Sequence, residues 1–159
     1  MPRRGKVKKN KLEKDPIYKN RLVAKLINRS MKDGKKTVSE KHVYAAFDLI
    51  KEKTKEDPIK VFSQAISNIK PTMEVRPRRV GGAAYQVPRP VRGARRESLA
   101  IRWLIFAARA RPNSEYHTYA EKLAVEVTEA AKREGGAVKK REEMERLAEA
   151  NRAFAHFRW

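Results

Sequence analysis

Apolar residues recur at helical spacing through most of the chain. Leu22, Val23, Leu26, Ile27 and Met31 share one stripe with Ser30, which predicts a first helix from about Tyr18. Asp33-Gly34 marks its stop, the glycine suiting a left-handed position. Thr37-Val38-Ser39-Glu40 reads as a capping box ahead of Val43, Ala46, Phe47 and Ile50, so a second helix is expected to about Lys53. Asp57-Pro58 pairs an N-cap carboxylate with proline at the first helical position. Val61, Phe62, Ala65, Ile66 and Ile69 then form a third stripe that ends at Pro71.

The period breaks over residues 71–92. Pro71, Pro77, Pro88 and Pro90 forbid a continuous helix, and Val75, Val80, Tyr85 and Val87 sit among polar or small residues around a central Gly81-Gly82. A two-stranded ribbon over 72–92 is expected, with Arg76, Arg78, Arg79, Arg89 and Arg92 projecting from it. A fourth helix opens near Ser98 and runs to Ala110, with Leu99, Trp103, Phe106, Ala107 and Ala110 on its main apolar face. Arg95, Arg102 and Arg109 recur every seven residues, close to two turns, and so share one stripe. That stripe either faces a partner or is salt-bridged to the acidic C-terminal helices. A fifth helix is expected from Ser114 to the Gly135-Gly136 pair and a sixth from about Lys139, carrying Met144, Leu147 and Ala148. The aromatic ending Phe154 to Trp159 should dock on something.

The fold class expected is mainly α: a six-helix bundle with a protruding ribbon between the third and fourth helices. All 159 residues form a single domain, with residues 1–15 as a flexible basic arm too poor in apolar positions to form a core element.

Charge changes the picture from fold to function. The chain carries 39 Lys and Arg against 19 Asp and Glu, a net +20. The surplus is not spread evenly. Residues 1–36 have fourteen basic and three acidic residues, and residues 71–111 have ten and two; the remaining segments are within one charge of neutral. The ten basic residues of 71–111 are all Arg, whose planar fork binds phosphate bidentately and stacks on bases. Solvated faces carry dispersed charge of mixed sign, so two strongly basic blocks imply a polyanionic partner, nucleic acid first.

Chemistry is otherwise sparse. There is no cysteine, and His42, His117 and His156 lie in separate elements without a metal-ligand spacing. No serine sits in a nucleophile elbow, and Gly81-Gly82 lacks the lysine of a phosphate loop. No catalytic site, cofactor, metal or small-molecule substrate is expected. The apolar run 99–110 is too short and too charged for a bilayer, and the N-terminus lacks an apolar signal segment, so a cytoplasmic location is expected. Trp103 is expected in the core; Tyr85 suits either packing or base stacking.

Six motifs in order resemble bacterial-type ribosomal protein seven of the small subunit, the uS7 family. They are Met31-Lys-Asp-Gly-Lys-Lys36, Pro71-Thr-Met-Glu-Val75, the run from Arg78 to Pro88, Leu99 to Leu104, Gly136 to Glu142, and Leu147 to Trp159. The stretch 112–119 departs from that pattern by a few extra residues. The resemblance implies primary binding to the 3′ major domain of small-subunit rRNA and nucleation of head assembly. It also implies a ribbon near exit-site tRNA and mRNA, neighbouring head and platform proteins and, in some bacterial members, repression of the protein's own mRNA.

Carried onto this chain, the implied rRNA contacts are Arg3, Arg4, Lys6, Lys8 and Lys9 in the arm, and Arg21, Lys25, Arg29, Lys32, Lys35 and Lys36 along and after the first helix. Arg76, Arg78 and Arg79 follow on the ribbon, then the Arg95, Arg102 and Arg109 face. The implied tRNA- and mRNA-proximal tip is Val80, Gly81, Gly82, Ala83, Ala84 and Tyr85. An architectural DNA-binding protein with an arginine-rich ribbon in a minor groove is the competing reading.

Overall fold

The computed structural model describes residues 12–158. Six α-helices surround one contiguous core: α1 (Arg21–Ser30), α2 (Lys36–Thr54), α3 (Pro58–Ile69), α4 (Ala94–Ala110), α5 (Tyr119–Ala131) and α6 (Gly136–Ala150). A two-stranded antiparallel ribbon, β1 (Met73–Val80) with β2 (Ala83–Pro90), lies between α3 and α4. A short 3₁₀ helix, Arg152–Arg158, follows α6. The basic residues of the arm up to Lys9 lie outside the described residues.

α3 starts as its sequence reads: the Asp57 carboxylate accepts from Ile59 N at 3.0 Å, with Pro58 in the first turn. Phe62, Ala65, Ile66 and Ile69 are fully buried. They pack with Leu123 and Val127 of α5 in one core. Asn68 ties the two helices, its side-chain amide donating to the carbonyls of Ala130 and Ala131 at 2.9 Å each. These carbonyls lie at the end of α5, where helical partners run out.

Other helix starts depart from expectation. α1 begins at Arg21, capped by Asn20, because Asp15 organises the turn before it. Asp15 is 3% exposed, accepts from the backbone of Ile17 and Tyr18, and receives the Tyr44 hydroxyl at 2.8 Å. Burial and this carboxylate raise the Tyr44 pKa, so the phenol stays protonated and keeps donating.

α2 does not use Thr37 as its cap. It opens two residues earlier, after the Asp33-Gly34 turn, and Lys35 at its cap position makes no side-chain cap bond. Ser39 is turned inward instead and donates to the Ile27 carbonyl at 2.9 Å. α4 starts at Ala94, not Ser98; its first turn is polar apart from Ala94, and Arg95 and Arg96 reach back to Glu74 and the Pro71 carbonyl at the base of the ribbon. Phe106, expected on the apolar face, is 68% exposed, and Leu147 of α6 is also exposed. α5 starts after Thr118, not at Ser114, through a reciprocal box in which Thr118 caps Glu121 N and Glu121 accepts from Thr118 N. These backbone bonds hold the Glu121 pKa low. α6 opens at Gly136 rather than near Lys139.

A buried ionic cluster locks the C-terminal half. Glu126 of α5, 1% exposed, accepts from Arg111 Nε at 2.9 Å and Nη2 at 2.6 Å through one oxygen. Its other oxygen accepts from Ala137 N at the start of α6, at 2.8 Å. Glu129 is the second carboxylate on Arg111. Burial works against the Arg111 charge, but the two carboxylates outweigh it and its pKa rises.

The ribbon pairs Val80 with Ala83 and Met73 with Pro90 around the two-residue turn Gly81-Gly82. Both glycines have positive φ, 58° and 89°, as a tight hairpin of this hand requires. A Cβ at either would meet nothing within 4 Å, so the conformation and not space selects glycine.

Candidate nucleic-acid interface

α1 and α4 place the two charge blocks side by side. On α1, Val23, Leu26 and Ile27 face the core, which leaves Arg21 and Arg29 exposed. Lys25 Nζ reaches across to Glu97 in the first turn of α4 at 2.5 Å. That hydrogen bond, opposed by burial, draws the Glu97 pKa below its ordinary value. At the far end, Arg109 Nη2 donates to the Ser30 carbonyl at 2.8 Å, and its guanidinium lies 6.0 Å from the Tyr119 ring. Ser30 and Tyr119 hydroxyls meet at 3.1 Å, and burial raises the Tyr119 pKa. Beside the Lys25–Glu97 tie lies a groove of about 430 Å³ lined by Leu12, Lys25, Asn28, Arg29, Ala94, Ser98 and Ile101.

Arg102, midway along α4, is exposed with no partner among the described residues. Arg21, Arg29, Lys32, Lys35, Arg79 and Arg92 are likewise exposed and have no acidic partner among the described residues. Lys36 pairs loosely with Glu40 at 3.6 Å. The three arginines of the seven-residue stripe thus divide: Arg102 is unengaged, Arg109 is anchored, and Arg95 pairs with Glu74 of β1 at 2.7 Å. The expected alternative, pairing with the acidic C-terminal helices, is not what anchors Arg95 or Arg109.

On the ribbon, Arg76 also bonds Glu74, at 2.6 Å. Arg78 turns to the Phe157 carbonyl at 3.5 Å. Arg89 does not project as expected; its Nη2 donates to the Arg158 carbonyl at 3.0 Å and its Nε is buried. The C-terminal 3₁₀ helix is therefore docked on the ribbon. Tyr85 sits 5.2 Å from the rings of both Phe154 and Phe157, which resolves its two readings in favour of packing. Trp103 is in the core, 8% exposed. Gly81, Gly82, Ala83 and Ala84 form an exposed tip, with Val80 half-buried behind them.

Sequence reasoning missed the acids in this surface. Glu74 and Glu97 are the two acidic residues of block 71–111, and each holds cations of the candidate interface. Their rarity in an arginine-rich stretch was the available signal. Among the described residues no group of His, Asp and Glu is placed to hold a metal, and no helix is long and apolar enough to cross a membrane.

The family model for ribosomal protein S7p/S5e matches residues 2–152. The chain belongs to that family. It is 59% identical to the small ribosomal subunit protein uS7 of Thermodesulfovibrio yellowstonii and 57% identical to that of Caldicellulosiruptor bescii, in both cases over the full length of each chain. The protein of the same name from Thermotoga maritima is 56% identical over 99% of both chains. Family membership makes the chain a structural, RNA-binding ribosomal protein and not an enzyme.

Proposed function

We propose that the chain binds small-subunit rRNA at a multi-helix junction of the 3′ major domain and organises the head of the cytoplasmic small subunit around it. The observation that carries this reading is the continuity of the α1 and α4 cation rows, joined by Lys25–Glu97 at one end and Arg109–Ser30 at the other. Phosphates from two RNA strands brought together at a junction release counterions when these rows neutralise them. The rows sit on helices fixed by the core, so the protein selects spacing and shape rather than base sequence, as suits double-helical RNA.

The arm residues Arg3, Arg4, Lys6, Lys8 and Lys9 extend the same contact from the α1 side. The ribbon tip, small and exposed at Gly81 to Ala84, suits close approach to exit-site tRNA and mRNA. The near-neutral segments 37–70 and 112–159 suit neighbouring head and platform proteins.

The test compares affinity for a 3′ major-domain rRNA fragment with that for duplex DNA of equal length, at physiological salt with nonspecific competitor. Strong preference for the rRNA fragment is expected, and equal binding to both overturns the reading. Arg102→Glu is the clean variant, since Arg102 makes no hydrogen bond or ion pair among the described residues. It should lower rRNA affinity about tenfold and reduce the salt slope by about one. Replacing all three stripe arginines is a poorer probe, because Arg95 and Arg109 also hold the fold together.

A further inference from the structure

Glu74 is buried at 6% exposure in a surface otherwise built of arginine. Its Oε1 accepts from Nε of Arg76 at 2.6 Å and from Nε of Arg95 at 2.9 Å, and its Oε2 accepts from the same Arg95 Nε at 2.7 Å. One arginine comes from the ribbon and the other from α4. Both contacts end at Nε. The Nη1 and Nη2 groups of both guanidiniums have no partner among the described residues, and the two side chains are 43% and 48% exposed. The carboxylate thus holds each fork by its inner nitrogen and leaves the outer nitrogens, the end that grips a phosphate bidentately, open to solvent.

A free arginine on a surface samples many rotamers, and part of that freedom is lost each time it fixes on a phosphate. Two arginines already fixed on a shared oxygen lose less. We propose that Arg76 and Arg95 form a preorganised clamp for a phosphodiester group of the bound RNA, and that Glu74 is its positioning residue. This rests on the reading of the chain as an rRNA binder. The clamp also joins the base of the ribbon to α4, so engaging one phosphate fixes the ribbon against the helical body.

The sign of one substitution tests it. If Glu74 only neutralises the two arginines, Glu74→Gln removes a negative charge from a phosphate-binding face and RNA affinity rises. As a positioning residue its loss frees both forks, and affinity for the rRNA fragment should fall about fivefold with a shallower salt slope. Glu74→Asp keeps the charge and shortens the arm, so it should also weaken binding. Arg95→Lys keeps the cation, loses the fork and should do the same. In the Arg76→Ala/Arg95→Ala background, Glu74→Gln should change affinity less than twofold, a coupling that a purely structural role would not produce. Urea unfolding of each variant reports any change in stability separately. Wild-type protein that prefers the rRNA fragment, together with a Glu74→Gln variant that binds it equally or more tightly, overturns the clamp and leaves the parent reading standing. Wild-type protein without that preference overturns the parent reading and the clamp with it.

Discussion

Replacing Glu126 with alanine should be among the most damaging single changes in the C-terminal half. The carboxylate is 1% exposed and makes three bonds: two from Arg111 through one oxygen and one from Ala137 N through the other. Alanine leaves Ala137 N buried without an acceptor, a loss of about 1–3 kcal/mol. It also strips Arg111 of one of two carboxylates; breaking a buried pair outright costs about 3–5 kcal/mol, but Glu129 remains on the same guanidinium and absorbs much of that. The expected sum is about 3–4 kcal/mol, a fall in Tm of roughly 10 °C for a chain of this size. Glutamine, isosteric but uncharged, can accept from Ala137 N or from Arg111 but not serve both as well. It should cost about half as much. Urea denaturation with an unchanged m-value provides the measurement. A loss below about 1 kcal/mol for alanine, or equal losses for alanine and glutamine, would refute the claim that the bridging carboxylate carries the joint between α5 and α6.

Three further outcomes are expected. Tyr85→Ala removes two aromatic contacts of about 1 kcal/mol each and should speed hydrogen exchange of the ribbon amides by about thirtyfold while the global Tm stays nearly constant; unchanged ribbon exchange would sink the bracing role. Glu97 has a folded pKa held below the ordinary 4.5, chiefly by the Lys25 hydrogen bond, so as pH falls the unfolded chain takes up its proton first. Its contribution to stability is present above 4.5 and lost as pH drops through the folded pKa. The wild-type advantage over Glu97→Gln should therefore be flat near neutrality and shrink in acid, and a pH-independent difference would contradict the assignment. Asp57→Ala should cost about 1 kcal/mol in equilibrium unfolding through loss of the α3 cap, and a neutral result would show that Pro58 alone sets the helix start.

Local chemistry made part of the fold legible. Asp57-Pro58 and the Gly81-Gly82 hairpin act within four residues of themselves, and both were read correctly. The start of α5 was legible but misread: Ser114 has His117 three residues on, whereas Thr118 has Glu121, and only the second pair can reciprocate. The start of α4 carried no apolar signal, because Ala94 to Glu97 form a polar turn whose arginines and glutamate bond residues twenty or more positions away. Thr37 failed for a related reason. The inward pull on Ser39 comes from Ile27, in another helix.

The candidate interface divides in the same way. The seven-residue arginine stripe and the two charge blocks were visible, since spacing and composition are properties of the string. Which arginines remain unengaged was not, since Glu74, Ser30 and the C-terminal carbonyls reach them only after folding. Phe106 is the sharpest miss: its spacing fits the apolar face, yet the α4 packing leaves it 68% exposed.

The docking of the last 3₁₀ helix on the ribbon has a temporal side. The bonds from Arg78 and Arg89 to the tail span 79 and 69 positions of sequence. The tail is synthesised some seconds after the ribbon, at roughly 5–20 residues per second, whereas a hairpin zips in about 1–10 μs. During synthesis the ribbon is therefore made before its brace exists, and for an interval its arginines are present while the tail carbonyls that accept from them have yet to be made. An RNA that engages the nascent chain early meets a ribbon held at its base alone, and one that engages it late meets a ribbon held by the tail as well.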